Sequence, residues 1–571
     1  MRILPLVLAL LMASCAPSLT EDQKFESLAG NYIGALLRMN PEWATRLGDH
    51  RYDRELSDYS AAGVAAARAL TASYLDSLKS IDAGSLNAAN RIDYRILVTN
   101  LEYARFQIDS LREHEWNPMN YNPGDAIYLL LARDFAPLDE RLESVRHRLT
   151  GIPAMLDAAR RVLKTPPKIY TETAIQQNAG TIGLIRDELN VYVAQSGWTA
   201  EKKEALKVAQ DSAVGALRSF GEWMQKELLP RSTADFRLGD DLYRRKLQYG
   251  LESDISKEEI MKRAETDLRR TQEALYETAL PLYRGFLPKG DTRDKKTVIR
   301  RVLDKLAGSH PDNGNIVSRA TADLQKTTEF VRAQGLVTVP SEPVKVIVMP
   351  EYQRGVAVAY CDAAGPLEKN GQTFFSISPT PKDWTKERTA SFFREYNNDM
   401  LQNLTIHEAM PGHYLQLAHA NQLKAPTMVR AIFSSGTFVE GWATYAEQLM
   451  VEKGYGGPEL RMQQLKMRLR LIINAILDQK IHTQGMTEHE AMDLMKNEGY
   501  QEDGEAAGKW RRACLSSTQL STYYVGNIGI NDLRAAYEKK FGSSTGLKTM
   551  HDAFLSFGSP APRYVKEALG L

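Results

Sequence analysis

Two histidines and a glutamate stand close together in His407-Glu408-Ala409-Met410-Pro411-Gly412-His413, and a third histidine follows at His419. The chain has ten histidines in 571 residues, so three between positions 407 and 419 form a local concentration. Neutral imidazoles bind a metal ion, and a neighbouring carboxylate can take a proton from water. These are the residue types of zinc-dependent hydrolysis.

The spacing departs from the usual zinc helix. When two histidines are four residues apart they share one helix face. Here the fourth position is Pro411, and His413 is six residues from His407. On one continuous helix that is about 240° round, which turns the second ring away. Proline removes a helical donor and glycine tolerates unusual dihedrals, so a kink or bulge at Pro411-Gly412 would bring His413 back. Glu440 lies 27 residues beyond His413, a separation that suits a loop and a second, antiparallel helix. With His407 and His413 it completes the three protein ligands of a catalytic zinc. Gln416 is one turn beyond His413 and Thr444 one turn beyond Glu440, which places both as supports behind the ligands. The residues alone also fit a plainer picture: a His-Glu pair on a helix surface or in a core, and a Glu440 that serves its helix N-terminus.

The two motifs, His407-Glu408-x-x-Pro411-Gly412-His413-x-x-Gln416 and Glu440-Gly441-Trp442-Ala443-Thr444-Tyr445-Ala446-Glu447, together resemble a large bacterial family known as domain of unknown function 885. Many of its members are predicted lipoproteins. The family is similar to helical zinc peptidases of the gluzincin type. The resemblance runs over nearly the whole chain and implies a peptidase with one zinc ion held by His407, His413 and Glu440. Glu408 would be the general base. It also implies a tyrosine near the C-terminus, in a Ser-Tyr-x-x-Gly element often preceded by Pro-Gly-Gln. Here Tyr523 is the matching residue, preceded by Ser517-Thr518-Gln519. A phenol there would donate to a tetrahedral oxyanion, and Arg511 or Arg512 could pair a substrate carboxylate.

The N-terminus points to the cell envelope. One positive charge, an apolar run from Ile3 to Leu11 and small residues before Cys15 read as a bacterial lipoprotein signal over 1–14. Cys15 would carry the lipid, with 15–26 as a tether. Ala16, not aspartate, follows the cysteine, which favours sorting to the outer membrane, on its periplasmic or surface face. The apolar run is shorter than the roughly 20 residues that cross a bilayer. Lys+Arg is 72 against Asp+Glu 71, with no basic excess of the kind that nucleic-acid binding requires. Cys361 and Cys514 are expected as buried free thiols; no C-x-x-C motif exists.

Apolar residues at three- and four-residue spacing, as in Leu86–Leu111 and Arg141–Val162, predict helices from Ser27 to about Pro340. Ser256 followed by Glu258 and Glu259 marks a helix start. The texture changes at 344–378, where Val344–Met349, Val356–Tyr360 and Thr373–Ser378 predict three short strands forming a small antiparallel sheet. An edge strand beside the metal helix would pair with extended substrate; a purely structural sheet is the alternative. Arg461–Leu477 reads as a helix with one buried and one solvated face, or as a membrane-surface helix. The expected architecture is mainly α: one clefted zinc-peptidase-like unit over 27–571, with metal-binding helices within 400–450. Its expected substrate is a peptide. Two alternatives stand: a zinc hydrolase of another amide or ester, since the motif defines attack by water and not the acyl group, and a non-catalytic binding lipoprotein whose Pro-Gly insertion has spoiled the site.

Overall fold

The computed structural model describes residues 19–349, 358–368, 371–382, 384–542 and 545–571. The signal, Cys15 and the first residues of the expected tether lie outside them, as do Val356 and Ala357 of the expected second strand. Among the described residues no helix is long and apolar enough to cross a membrane.

The first helix, α1 (Glu21–Met39), is started by Thr20 in a reciprocal capping box with Gln23. It buries Phe25 completely, so packed structure begins ahead of the boundary set at Ser27. The predicted helices follow as α2 (Ala88–Phe106) and α3 (Leu138–Val162). The apolar stripe Leu142, Leu149 and Leu156 of α3 packs with Leu206, Ala213 and Phe220 of α4 (Ala200–Trp223) in a core of the N-terminal half. Ser256 caps α5 (Lys257–Phe286), its hydroxyl accepting from the Glu259 N–H at 3.2 Å, as its sequence predicts. Then comes α6 (Lys295–Ala307).

Three strands follow: β1 (Val344–Val348), β2 (Ala359–Asp362) and β3 (Thr373–Ile377), in spatial order β1-β3-β2. The sheet is mixed, not antiparallel. β2 pairs with β3 antiparallel, while β1 pairs with β3 parallel. Turn residues between the second and third strands report only on that pair; the chain between β1 and β3 is long enough to cross over and return in the same direction. Phe375 and Ile377 of β3 are fully buried in the core that also holds Ile406, Phe438, Trp442 and Tyr445.

That core belongs to the C-terminal helices: α7 (Lys386–Glu395), α8 (Asn398–Glu408), α9 (His413–Ala420), α10 (Gly436–Glu452), α11 (Pro458–Gln484), α12 (Asp503–Leu515) and α13 (Ser521–Phe541). The basic helix α11 departs from its amphipathic expectation. It is buried nearly all round, from Leu460 to His482. Lys466 and Arg470 lie inside because Glu395 meets both, at 2.9 Å from Lys466 Nζ, and Glu505 approaches Arg470 at 3.5 Å. Buried charges persist where they are paired, and these partners lie far away in sequence.

Candidate metal centre

The helix α8 starts at Asn397, whose Oδ1 accepts from the Asp399 and Met400 N–H groups at 3.2 and 3.1 Å. It stops at Glu408. The chain breaks over Ala409–Gly412, with a cis Met410–Pro411 peptide, and a separate helix α9 begins at His413. The Pro-Gly pair therefore ends one helix and opens another, where the sequence suggested a kink within one. The Gly412 N–H donates to the Ile406 carbonyl at 2.9 Å. A Cβ on Gly412 would lie 1.8 Å from the His407 carbonyl oxygen, so no other residue fits that turn. From across the interface, Trp442 Nε1–H of α10 donates to the Pro411 carbonyl at 2.8 Å.

This break returns His413 to His407. The two rings meet edge to face with centroids 4.7 Å apart. Glu440, on the first turns of α10, completes the group: its Oε2 is 3.5 Å from His407 Nε2 and 3.5 Å from His413 Nε2. Those separations are too long for good hydrogen bonds, and Glu440 Oε2 is buried without a hydrogen-bond partner among the described residues. They match another geometry. Ligand atoms placed tetrahedrally around one zinc ion at about 2.1 Å lie roughly 3.4 Å from each other. His407 Nδ1–H donates to Glu447 Oε1 at 2.6 Å, which leaves the Nε2 lone pair facing Glu440. Glu447 is held in turn by Asn403 Nδ2–H at 2.7 Å. Burial opposes charge on His407, and the Glu440 and Glu447 carboxylates outweigh it, pushing its pKa well above the usual imidazole value. Burial likewise opposes ionisation of Glu440, and the two imidazoles hold its carboxyl far below the usual range. The cluster is organised around a positive charge.

A second carboxylate, Glu408, is also close: its ligand atom and those of the two histidines all lie within 4.8 Å of one another. Its Oε2 is occupied, however, by the Cys361 N–H of β2 at 3.1 Å. The two carboxylates thus flank the histidine pair, Glu440 with an unbonded oxygen between the rings and Glu408 with one oxygen bonded to β2. Burial pushes the Glu408 carboxyl above its ordinary value, against the lowering effect of His413 and His407. The outer edge of β2 is turned to α8 at this point, since β2 pairs with β3 on its other side.

Tyr523, on the first turn of α13, sits close enough to Glu440 for that carboxylate to raise its pKa, after burial, which raises it most. Two glycines bring these helices together. A Cβ on Gly441 would lie 2.5 Å from the Gly526 backbone, and one on Gly526 would lie 2.8 Å from Gly441. The Tyr523 hydroxyl oxygen accepts from Arg512 at 2.9 Å.

Other predicted residues fall elsewhere. His419 meets the Thr338 carbonyl at 2.7 Å. Gln416 is fully buried and donates to Ser559 Oγ at 2.7 Å. Thr444 donates to the Glu440 main-chain carbonyl at 2.9 Å, so it touches that ligand's backbone and not its carboxylate. Arg511 is committed to Thr173 and Gln176 of the N-terminal half, at 2.8 and 3.2 Å. Among the described residues Cys361 and Cys514 are both free, the first half-buried and the second buried. Sequence reasoning missed Glu447, although it lies seven residues, two helical turns, from Glu440 and hence on the same face. It also missed Asn403 and Trp442, whose partners are distant in sequence.

A family described as bacterial proteins of unknown function, DUF885, matches residues 41–569. The chain belongs to this family. A DUF885-like fold recurs in solved structures. A candidate lipoprotein of unknown function from Shewanella oneidensis is 34% identical, covers 97% of this chain and 100% of its own, and superposes with a TM-score of 0.82. A second candidate lipoprotein, from Colwellia psychrerythraea, is 19% identical over 96% of this chain and 99% of its own, at 0.79, and shares the fold. An M32 carboxypeptidase from Deinococcus radiodurans R1 is 11% identical over 96% and 94% of the two chains, at 0.42, a distant likeness that says nothing about chemistry. No curated protein matches.

Proposed function

We propose that this chain is a zinc-dependent peptidase held at the bacterial envelope by a lipid on Cys15. The observation that carries the reading is the buried Glu440 Oε2, without a hydrogen-bond partner among the described residues and 3.5 Å from the Nε2 atom of each of two histidines. His407, His413 and Glu440 would hold one ion, which when bound supplies a Lewis acid that polarises water and the scissile carbonyl. The same donor set also accepts neighbouring transition metals.

The remaining work falls to the chain's own groups. Glu408 takes the proton of the attacking water at its carboxylate and passes it to the leaving amine nitrogen. The Cys361 N–H keeps that carboxylate in place. Tyr523, its oxygen already receiving a hydrogen bond from Arg512, donates its O–H to the oxyanion as charge develops there. Glu447 fixes the His407 tautomer and ring orientation. The outer edge of β2, beside Glu408, offers main-chain groups to an extended peptide.

The test is metal content by plasma mass spectrometry on protein beginning after Cys15, followed by a peptide-library cleavage screen. About one zinc per chain, lost in His413→Ala, with peptide cleavage lost in Glu408→Gln, is the expected result. Absence of bound metal after zinc is supplied and excess removed would overturn the reading. Cleavage of small amides or esters without peptides would replace peptidase by another hydrolase.

A further inference from the structure

The turn between α12 and α13, residues 516–520, ends three residues before Tyr523 and is pinned almost residue by residue. His482 Nε2 of α11 lies 3.0 Å from the Ala513 carbonyl and 2.8 Å from the Ser516 carbonyl, so it carries the proton and donates. Lys246 donates to Ser517 Oγ at 3.0 Å, and Arg512 donates to Gln519 Oε1 at 2.9 Å.

The most extensive hold is that of Asp478, also on α11 and 1% exposed. Its Oδ1 accepts from the Thr518 N–H at 2.9 Å. Its Oδ2 accepts from the Ser521 N–H at 3.0 Å and from the Ser521 hydroxyl at 2.7 Å. Bonds to a carboxylate out of water are strong ones, and a buried carboxylate left without them is costly. Thr518 shows why the turn needs such a clamp. Its φ is +66°. Among the described residues four that are not glycine have a positive φ, and Thr518 is the one with a β-branched side chain. The left-handed region is costly for that side chain and persists only where the surroundings over-determine it.

The turn reaches Tyr523 by two routes. Ser521 is the first residue of α13, so its grip on Asp478 fixes where that helix starts and how its third residue, Tyr523, is presented. Gln519 accepts from the same guanidinium that donates to the Tyr523 hydroxyl. We propose that Asp478 is a positioning residue for Tyr523, holding the 518–521 turn in a strained form that fixes the phenol relative to the metal centre. The effect on rate rests on the peptidase reading; the effect on Tyr523 itself rests on the turn alone.

The test places 3-fluorotyrosine at position 523 of the chain beginning after Cys15 and follows its fluorine resonance. Asp478→Asn is expected to shift and broaden that line. Adding Thr518→Gly, which relieves the strain, is expected to narrow it again. Ser521→Ala removes one of the three bonds and is expected to move the line the same way by less, which gives the answer if Asp478→Asn does not fold. On a cleaved library peptide Asp478→Asn is expected to lower kcat by about 10–100-fold, short of the roughly 10²–10³-fold of losing an oxyanion donor outright. KM and zinc content are expected to stay unchanged. Combined with Tyr523→Phe, Asp478→Asn is expected to cost nothing further, since both act through one group. A line unmoved in both Asp478→Asn and Ser521→Ala would overturn the proposal. So would losses of kcat that multiply in the double variant, which would make Asp478 a packing residue only. Wild-type protein without zinc or cleavage would overturn the peptidase reading and the rate effect with it, while a line displaced by Asp478→Asn would still uphold the placement of Tyr523.

Discussion

Two clusters in this chain join histidine to carboxylate, and they differ in what they leave unpaired. At His50 one imidazole lies between two acids, with Nδ1 2.9 Å from Asp53 Oδ2 and Nε2 3.0 Å from Glu368 Oε2. The ring stacks on Phe135 with centroids 3.6 Å apart. Both nitrogens have partners, and the group ties the N-terminal helices to the loop after β2. At His407 one nitrogen is bonded to Glu447, while the other faces Glu440 Oε2 across a gap too long for a good hydrogen bond. The residue types are the same. A satisfied histidine is a strut; one left facing an unpaired carboxylate and a second imidazole is a place for a cation. The Asp49-His50-Arg51-Tyr52-Asp53 stretch is thereby explained as a structural joint.

The comparison breaks most sharply on metal content. His413→Ala should drop bound zinc from about one per chain to near zero, whereas His50→Ala should leave it unchanged; equal loss in both would erase the distinction. Next, Glu408→Gln should keep the metal and lower peptide turnover by about 10²–10⁴-fold, read as kcat on whichever library peptide is cleaved. Glu447→Gln should weaken metal affinity by about 10–100-fold, measured by competition with a chelator. A wild-type affinity there would demote Glu447 to packing. Gly412→Ala should cost about 1–3 kcal/mol in chemical denaturation, because the turn must move to relieve the contact with the His407 carbonyl.

The smallest effect concerns pH. Burial alone would lower the His50 pKa, but the Asp53 and Glu368 carboxylates outweigh it and hold the value above normal. The contribution of this joint is thus fully present below about pH 6.5 and is lost as pH rises through the raised folded value. The stability difference between wild type and His50→Gln, about 1 kcal/mol at pH 6, should shrink by pH 9. A difference that grows with pH would mean that the neutral ring makes the joint.

Helices and caps were largely legible in the sequence, because amphipathic spacing and residues such as Ser256 act locally. The candidate ligands were legible too, but not how they meet. The six-residue step from His407 to His413 made the common helix impossible, and only the folded chain resolves this as two helices with Gly412 pressed on a carbonyl. The parallel pairing of β1 escaped because strand patterns carry no direction. The interior placement of α11 escaped because Lys466 and Arg470 read as solvated until Glu395, some seventy residues earlier, is seen between them. Glu447 was visible as a periodicity and went unused.

The contact between Gly441 and Gly526 has a consequence for how this protein can vary. Glu440 and Tyr523 are spaced by two backbones in direct touch, with no side chain between them to act as a cushion. Substitutions in the surrounding core can accumulate without changing that spacing, much as a hinge pin holds its plates whatever the doors are made of. The two glycines are where such drift should stop.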